Sequence, residues 1–282
     1  VPGTMSKYRT AAQHIREIFY RYTDKVEPLS LDEAYLDVTD CNECQGSATL
    51  IAQEIRQVIA REVGVTASAG VAPNKFLAKV ASDLNKPDGQ YVITPSEVDA
   101  FVLRLDVKRL FGVGKVISDR LRRLGIATCG DLRQRSVVEL VEYFGVFGRR
   151  LHDLSFGRDD REVKSDSRRK SLSVERTYSD DLADLPAILR KLPDLLVELR
   201  SRLRRVDADY LVIKQVVKIK FHDFTITTVE RQVVRGLPIE AFEELCIQAW
   251  ERGGRPVRLI GVGVRFLDTR DEGRAVQLEL FT

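Results

Sequence analysis

The sequence of 282 residues has few of the side chains that hydrolases commonly use, with three histidines, one methionine and one tryptophan. No Ser/His/Asp or Cys/His arrangement is apparent, which disfavours nucleophilic catalysis of the triad type. No apolar run approaches the roughly 20 residues that a membrane-spanning helix needs, and no signal peptide is visible. These absences predict a cytoplasmic protein that does not bind a membrane.

The four cysteines do not form a metal-binding pattern. Cys41 and Cys44 make a lone C-x-x-C motif, with no second pair and no spaced histidines, so a zinc site is disfavoured. No thioredoxin-like βαβ context surrounds the motif, and a redox role is disfavoured as well. Reduced thiols are therefore expected at all four positions.

Charge is distributed unevenly along a chain long enough for two or three domains. The net charge is +3, but residues 1–102 hold 10 basic and 14 acidic side chains, and residues 103–170 hold 17 and 10. Residues 171–282 hold 18 of each. The middle third favours contact with a polyanion such as nucleic acid, and a solvated basic face is the alternative.

Residues 30–38 read as a strand whose tip carries two adjacent carboxylates, Asp32 and Glu33. Neighbouring anions repel each other, and a divalent cation with oxygen ligands is the usual compensation. Two solvated acids at a turn are the alternative. Ser30 is expected to support this pair by hydrogen bonding rather than to act as a nucleophile.

The first third alternates helices and strands, and the middle third reads as helical. Helices are predicted at 7–22, 46–62 and 74–84, with strands at 66–71 and 90–94. Leu50, Ile51, Ile55, Val58 and Ile59 are predicted to face a core.

Within 96–158, the segment 111–115 resembles a helix-hairpin-helix turn, in which small residues let backbone amides approach a phosphate. An ordinary helix C-cap is the alternative. The glycine-rich turn at 144–150 is either a partner hairpin or a helix stop.

Residues 159–170 contain one hydrophobic residue and are predicted to be a charged linker. A βαββαβ order follows, with strands at 171–178, 212–221, 225–234 and 257–267 and helices at 185–206 and 239–252. Alternation places Lys214, Lys218 and Lys220 on one face of a sheet, suited to phosphates. A sheet with one wet side is the alternative.

Two motifs carry a family resemblance. The run S-L-D-E-A-Y-L-D at 30–37 resembles the second acidic motif of Y-family (translesion) DNA polymerases, and the block 67–90 is similar to a bacterial branch of that family. The resemblance implies an α+β, multidomain fold: a partial palm (antiparallel sheet with helices) at 1–95, an all-helical thumb at 96–158, the linker at 159–170, a βαββαβ little finger at 171–270 and a tail at 271–282.

The resemblance also implies an activity and a site. The activity is error-prone, template-directed DNA synthesis past DNA damage by two-metal nucleotidyl transfer. Asp32 would bridge two Mg²⁺ ions, Glu33 would ligate one, and Lys86 and Tyr8 would contact the incoming dNTP. The residues implied in primer–template binding are Gly112, Gly114, Lys115, Lys218 and Lys220.

A further strand with a catalytic Asp and a fingers domain are expected before Val1 by this resemblance, so the chain resembles a truncated member with impaired activity. The alternative is a non-catalytic DNA- and clamp-binding module. A cyclase sharing the palm does not explain the hairpins, the linker or the tail. The tail residues Gln277, Leu278, Leu280 and Phe281 resemble a sliding-clamp-binding motif. The protein is expected to be a monomer.

Overall fold

The computed structural model describes residues 4–166, 168–234 and 236–268, with the backbone alone at position 268. The chain divides into two compact units, residues 1–167 and residues 168–282. Within the described ranges, no helix combines the length and the apolar character that crossing a membrane requires.

The first half of the N-terminal unit alternates helices and strands in the predicted order, except that a strand at Val26–Pro28 was not predicted and the strand predicted at 30–38 is limited to Ala34–Leu36. The helices are α1 (Met5–Phe19), α2 (Ala48–Val63) and α3 (Lys75–Ser82), and the strands are β1 (Val26–Pro28), β2 (Ala34–Leu36), β3 (Ala69–Val71) and β4 (Gln90–Val92). β1 and β2 pair in the antiparallel sense expected of a palm. β3 and β4 pair in parallel, because α3 returns the chain to the starting edge between them.

α1 and α2 pack together through a small apolar core. Ile51, Ile55, Val58 and Ile59 are buried as the helical spacing predicts, and Ile18 of α1 lies among them. The prediction for Leu50 was wrong: its side chain is 44% exposed. One residue on an α-helix turns the side chain by about 100°, which carries Leu50 off the stripe that begins at Ile51.

The second half of the N-terminal unit is helical, as predicted. Its helices are α4 (Val98–Leu103), α5 (Lys115–Arg123), α6 (Cys129–Arg133), α7 (Val137–Phe144) and α8 (Val146–Ser155). Capping boxes at Thr128 and Ser136 satisfy the first amides of α6 and α7. α7 and α8 approach closely at Gly148, where an added Cβ would lie 2.1 Å from the carbonyl oxygen of Leu140.

The predicted linker begins as a segment without helix or strand that is anchored to its own unit. The Asp159 side chain is 1% exposed, receives the Phe76 amide at 3.0 Å and pairs with Arg161 at 2.7 Å. Lys75 is also buried; it bonds the Glu27 carboxylate and lies 2.9 Å from the Glu162 carbonyl oxygen. Residues 159–164 are therefore not a free linker, because buried ion pairs fix them although they offer almost no apolar surface.

The C-terminal unit is a four-stranded antiparallel sheet with helices on one face. Its elements are β5 (Ser171–Leu182), α9 (Leu185–Leu189), α10 (Leu192–Leu203), β6 (Tyr210–Phe221), β7 (Ile226–Gln232), α11 (Ile239–Glu251) and β8 (Val257–Asp268). The strand order is β5-β8-β6-β7. The helix predicted at 185–206 is two helices, because Pro193 stands in the first turn of α10 and cannot continue the hydrogen-bond ladder from α9.

The two faces of this sheet differ as the alternation in β6 predicts. Val217, Ile219 and Phe221 are buried with residues of α10 and α11 in one apolar core. Trp250 and Tyr210 pack against that core. The lysines of β6 lie on the opposite, outer face, and the helices leave that face open to a ligand.

Candidate active site and nucleic-acid interface

Asp32 and Glu33 lie in a tight turn immediately before β2. The carbonyl oxygen of Glu33 accepts hydrogen bonds from the amides of Leu29 at 2.9 Å and Ser30 at 3.3 Å, which closes the turn. The Ser30 hydroxyl donates to the Asp32 carboxylate at 2.5 Å, the supporting role expected for Ser30. This hydrogen bond, with the charges of Lys79 and Lys86, holds the pKa of Asp32 below its usual value.

Two lysines face the acidic turn. Lys79 of α3 places its Nζ 2.5 Å from a carboxylate oxygen of Glu33. Lys86 pairs with Asp83 at 2.6 Å. The hydrogen bond that Lys86 donates to Asp83 raises the pKa of Lys86, and the charges of Asp83, Glu33 and Asp32 add to that effect. The site therefore combines carboxylates for a cation with ammonium groups for an anion.

The backbone around α3 determines where these lysines stand. Asn74 caps α3 by accepting the Leu77 amide at 3.0 Å, and its side-chain amide donates to the Gly157 carbonyl at 2.7 Å. α3 also packs directly onto β3, because Gly70 has no side chain. A Cβ at Gly70 would lie 2.1 Å from the Ala78 carbonyl oxygen, so a larger residue there would displace α3 and Lys79.

The loop that carries Lys86 is held by an arginine of α2. Arg56 donates from Nε to the Ala67 carbonyl at 2.8 Å and from Nη2 to the Asp88 carbonyl at 2.6 Å. Asp88 has a φ of 48°, an uncommon value for a residue with a side chain. Because these bonds join α2 to the segment before β3 and to the loop, Lys86 is placed by main-chain geometry as well as by its own ion pair.

The structure thus brings Asp32, Glu33 and Lys86 together, but Tyr8 stands apart from their polar contacts. Tyr8 is 55% exposed on α1, and the described hydrogen bonds and ion pairs of the acidic turn do not include it. Sequence reasoning missed Lys79. The signal was available in the i, i+4 spacing of Lys75 and Lys79, which puts both cations on one face of α3.

The donor atoms of the acidic turn fit Mg²⁺ in part. Mg²⁺ prefers oxygen ligands and is commonly bound by one or two carboxylates together with waters and substrate phosphates. Asp32 and Glu33 supply two such carboxylates. Among the described residues, no group of three or more His, Cys, Asp or Glu side chains is arranged to hold a metal.

The four cysteines are free thiols. Cys44 donates to a Glu54 carboxylate oxygen at 2.6 Å, and this hydrogen bond is the main cause that raises the thiol pKa to about 11. Burial raises the pKa of Cys129 and of Cys246 to about 12. All three thiols are therefore protonated near neutral pH and are poor nucleophiles.

The predicted hairpin at 111–115 leads into the N-terminus of α5. Gly112 has a φ of 87°, and Gly114 is the N-cap residue without a side-chain cap bond. The first amides of α5 consequently have no partner within the helix, and the positive end of the helix dipole adds to them. A shallow surface pocket here is lined by Lys108, Arg109 and Lys115 among others. Lys115 forms no ion pair with any described residue.

The second glycine-rich turn is a helix stop within a tight hairpin of two helices. Gly145 ends α7 and begins α8, with φ 60° and ψ −146°. Val146, at the start of α8, is 92% exposed.

On the outer face of the C-terminal sheet, the predicted phosphate-binding lysines already have partners. Lys214 pairs with Glu230 at 2.7 Å, and Lys218 pairs with both oxygens of Glu175 at 3.0 Å. Lys220 lies over the Phe224 ring, 4.5 Å from its centroid. The predicted tail residues Gln277, Leu278, Leu280 and Phe281 lie outside the described residues.

Three parts of the chain match known protein families. Residues 1–83 match the impB/mucB/samB family, and residues 169–280 match the C-terminal domain of the same family. Residues 108–159 match a family described as the thumb domain of DNA polymerase-iota.

The solved structures that resemble this chain are polymerases. A Y-family DNA polymerase chimera superposes with a TM-score of 0.83 at 30% identity, over 94% of this chain and 77% of the other. An insertion ternary complex of Dbh DNA polymerase gives a TM-score of 0.62 at 29% identity, over 95% and 78%. Fold and site together therefore define a polymerase of the Y family.

Curated relatives narrow the assignment. The DNA polymerase IV of Ectopseudomonas mendocina is 57% identical over 274 residues, which are 97% of this chain and 77% of that protein. The DNA polymerase IV of Pseudomonas syringae pv. tomato is 55% identical over 282 residues, covering 100% and 79%. The chain belongs to the bacterial DNA polymerase IV family. Members of this family are DNA-directed DNA polymerases of translesion synthesis and DNA repair.

Proposed function

We propose that residues 1–95 carry the nucleotidyl-transfer site of an error-prone, template-directed DNA polymerase. The observation that carries the proposal is the juxtaposition of Asp32 and Glu33 with Lys79 and Lys86. A nucleoside triphosphate with bound metal offers the complementary charges, cations for the carboxylates and phosphate oxygens for the lysines.

In this proposal Asp32 and Glu33 would hold the Mg²⁺ ions of a two-metal site, with Asp32 as the ligand shared by both ions and Glu33 as a ligand of one. Bound Mg²⁺ would stabilise the negative charge that develops on the transferring phosphate. Ser30 orients the Asp32 carboxylate through its hydrogen bond. To hold the metal, Glu33 would have to release Lys79, and the Lys79 ammonium would then be available to bind the triphosphate beside Lys86.

Primer–template DNA is proposed to lie against two further surfaces. In the helical region 96–158, the open amides of α5 and Lys115, which has no ion-pair partner in the part of the chain that the structure describes, suit a phosphate. In the region 171–270, Lys218 and Lys220 lie on the outer face of the sheet. The tail 271–282 is proposed to bind the sliding clamp through Gln277, Leu278, Leu280 and Phe281, and the protein is proposed to act as a monomer.

The number of metal-ligating carboxylates at the acidic turn affects the rate of primer extension that this chain can reach by itself. Among the described residues, Asp32 and Glu33 are joined by no third metal-ligating side chain. Removing one charge-stabilising group from a transition state typically costs about 100-fold or more in rate. We therefore propose that the 282-residue chain extends primers slowly, and that a non-catalytic DNA- and clamp-binding module is its alternative role.

Primer extension with Mg²⁺ tests both proposals. The chain should extend a labelled primer at least about 100-fold more slowly than a complete polymerase IV relative, and Asp32→Asn should abolish the remaining extension while DNA binding persists. Glu244→Gln, a change on α11, is the matched control. Equal extension by Asp32→Asn and the unchanged chain would contradict the assigned site. Extension as fast as that of the complete relative would contradict the proposed impairment.

A further inference from the structure

On the outer face of the C-terminal sheet, the Glu175 side chain extends over a glycine of the neighbouring strand and pairs with Lys218. Glu175 of β5 and Lys218 of β6 both lie opposite Gly261 of the strand between them, β8. Both carboxylate oxygens of Glu175 are 3.0 Å from Lys218 Nζ. An added Cβ at Gly261 would lie 2.9 Å from Glu175 Cγ, so the missing side chain at 261 leaves the space that Glu175 occupies.

A second carboxylate on the same face holds two cations. Glu230 of β7 lies 2.7 Å from Lys214 of β6 and 2.6 Å from Arg265 of β8. Lys214 and Arg265 stand opposite each other in the sheet register. Each carboxylate therefore reaches one cation across an intervening strand: Glu175 reaches Lys218 across β8, and Glu230 reaches Arg265 across β6.

These ion pairs contribute little to the stability of the fold. The five side chains involved are 31% to 50% exposed. Exposed ion pairs of this kind are typically worth about 0–1 kcal/mol, because water and salt screen them. Their larger consequence is electrostatic. Two carboxylates, Glu175 and Glu230, reduce the charge of four cations on this face from +4 to a net +2. These cations are Lys214, Lys218, Lys220 and Arg265.

We propose that Glu175 and Glu230 attenuate DNA binding by the outer face of this sheet. This inference rests on the proposed function, in which phosphates contact that face. A phosphate must displace a carboxylate from its cation and then lies beside that carboxylate, and both effects weaken binding. A polymerase that contacts DNA in this way dissociates more readily than its lysine count suggests.

The test measures the affinity for a fluorescein-labelled primer–template by anisotropy at several KCl concentrations, using the full chain. Glu175→Gln and Glu230→Gln should each tighten binding by about threefold to tenfold at low salt, because a glutamine neither neutralises the cation nor repels phosphate. The slope of log affinity against log KCl concentration should become steeper by about one for Glu175→Gln and by up to about two for Glu230→Gln, because each unit of slope corresponds to about one released counterion. Unchanged or weaker binding in both variants overturns the inference.

Two controls separate the possible failures. Glu244→Gln removes a carboxylate of α11 that pairs with Arg231 of β7 at 2.6 Å, and the change should leave the affinity for DNA unchanged. Lys220→Gln should weaken binding if the face contacts DNA at all. Weaker binding by Lys220→Gln, without any gain from the two glutamate variants, overturns the attenuation alone. No effect of any variant overturns both the attenuation and the proposed DNA contact of this face.

Gly261→Ala provides a second route to the same result. The added methyl group collides with Glu175 and should separate its carboxylate from Lys218, while it leaves both charges in place. DNA binding should tighten in this variant, and the gain should be smaller in the Glu175→Gln background, because both changes release the same lysine. Additive gains in the double variant would contradict the crossing geometry as the cause.

Discussion

The acidic turn of the N-terminal unit and the basic outer face of the C-terminal sheet carry opposite charges and neutralise them in the same way. In the turn, Lys79 neutralises Glu33 at 2.5 Å. On the sheet, Glu175 neutralises Lys218 at 3.0 Å. In both regions, groups that are proposed to bind a ligand are paired with an opposite charge of the protein itself.

The two regions differ in what happens to the partner group. In the proposed function, breaking the ion pair opposes ligand binding in both regions, but the released groups differ. The lysine released from Glu33 attracts the triphosphate, whereas the glutamate released from Lys218 repels the phosphate that replaces it.

The largest effect is expected from Asp32→Asn. The change keeps the shape and the neighbouring hydrogen bonds but removes the charge, so primer extension should fall by about 100-fold or more. Because the chain itself is expected to extend primers slowly, the corresponding change is also made in a catalytically complete relative. The faster steady-state extension by that relative makes the loss of rate measurable. Asp40→Asn is the matched control, because Asp40 is an exposed acid that pairs with Lys25 at 2.8 Å. Similar losses in both variants would remove the distinction between the turn and an ordinary surface acid.

The charged cluster around Asp159 differs from both of these regions, because it is buried and stabilises the fold. Burial opposes ionisation of Asp159, but hydrogen bonds and charge from Arg161, with the charge of Arg150, hold its pKa below the usual value. Asp159→Asn should therefore destabilise the fold by about 3 kcal/mol near neutral pH, the typical cost of breaking a buried ion pair.

The sign of the pH dependence follows from the lowered pKa. The contribution of Asp159 is complete above the ordinary carboxyl pKa and is lost as the pH falls through its lower folded-state pKa. Thermal unfolding across pH measures it, and the gap between Asp159→Asn and the unchanged chain should narrow in acid. Lys218→Gln, which breaks an exposed pair, should change stability by less than about 1 kcal/mol. Equal destabilisation by both changes would contradict the assigned burial.

A smaller effect, on DNA binding, is expected from the difference between a lysine without an ion-pair partner among the described residues and a lysine that has one. Lys115 at the α5 hairpin has no ion-pair partner among the described residues, whereas Lys218 is held by Glu175. Lys115→Gln should weaken binding to primer–template about threefold to tenfold and reduce the salt slope by about one. Lys218→Gln should have a smaller effect on both quantities, because its charge is already compensated. The reverse order would contradict the comparison.

The smallest effect is expected at Ser30. The hydrogen bond from Ser30 is the main cause that lowers the pKa of Asp32, so Ser30→Ala should raise that pKa towards the usual value. Asp32 then loses its charge, and its ability to bind a cation, at a higher pH than in the unchanged chain. Carboxyl-carbon NMR titration of Asp32 measures the shift. An unchanged midpoint would show that the lysines, rather than Ser30, stabilise the carboxylate.

Much of this fold could be predicted from the sequence because the patterns are local. Alternation in β6 indicated which lysines lie outside the core, and the pair Asp32–Glu33 indicated the acidic turn. The ion pairs could not be predicted, because Glu175 meets Lys218 only through the strand order β5-β8-β6. The anchoring of residues 159–164 was missed for the same reason: Lys75 reaches the Glu162 carbonyl across 87 positions of sequence.

In the proposed function, Asp32 and Glu33 hold a divalent cation against the phosphates of a nucleotide. Mn²⁺ binding measured by electron paramagnetic resonance, with and without dNTP, tests this role without depending on turnover. We expect dNTP to strengthen Mn²⁺ binding to the unchanged chain, and Asp32→Asn to weaken that binding at least about tenfold, or about 1.4 kcal/mol. Equal Mn²⁺ affinity in the two proteins, with dNTP present, would contradict it.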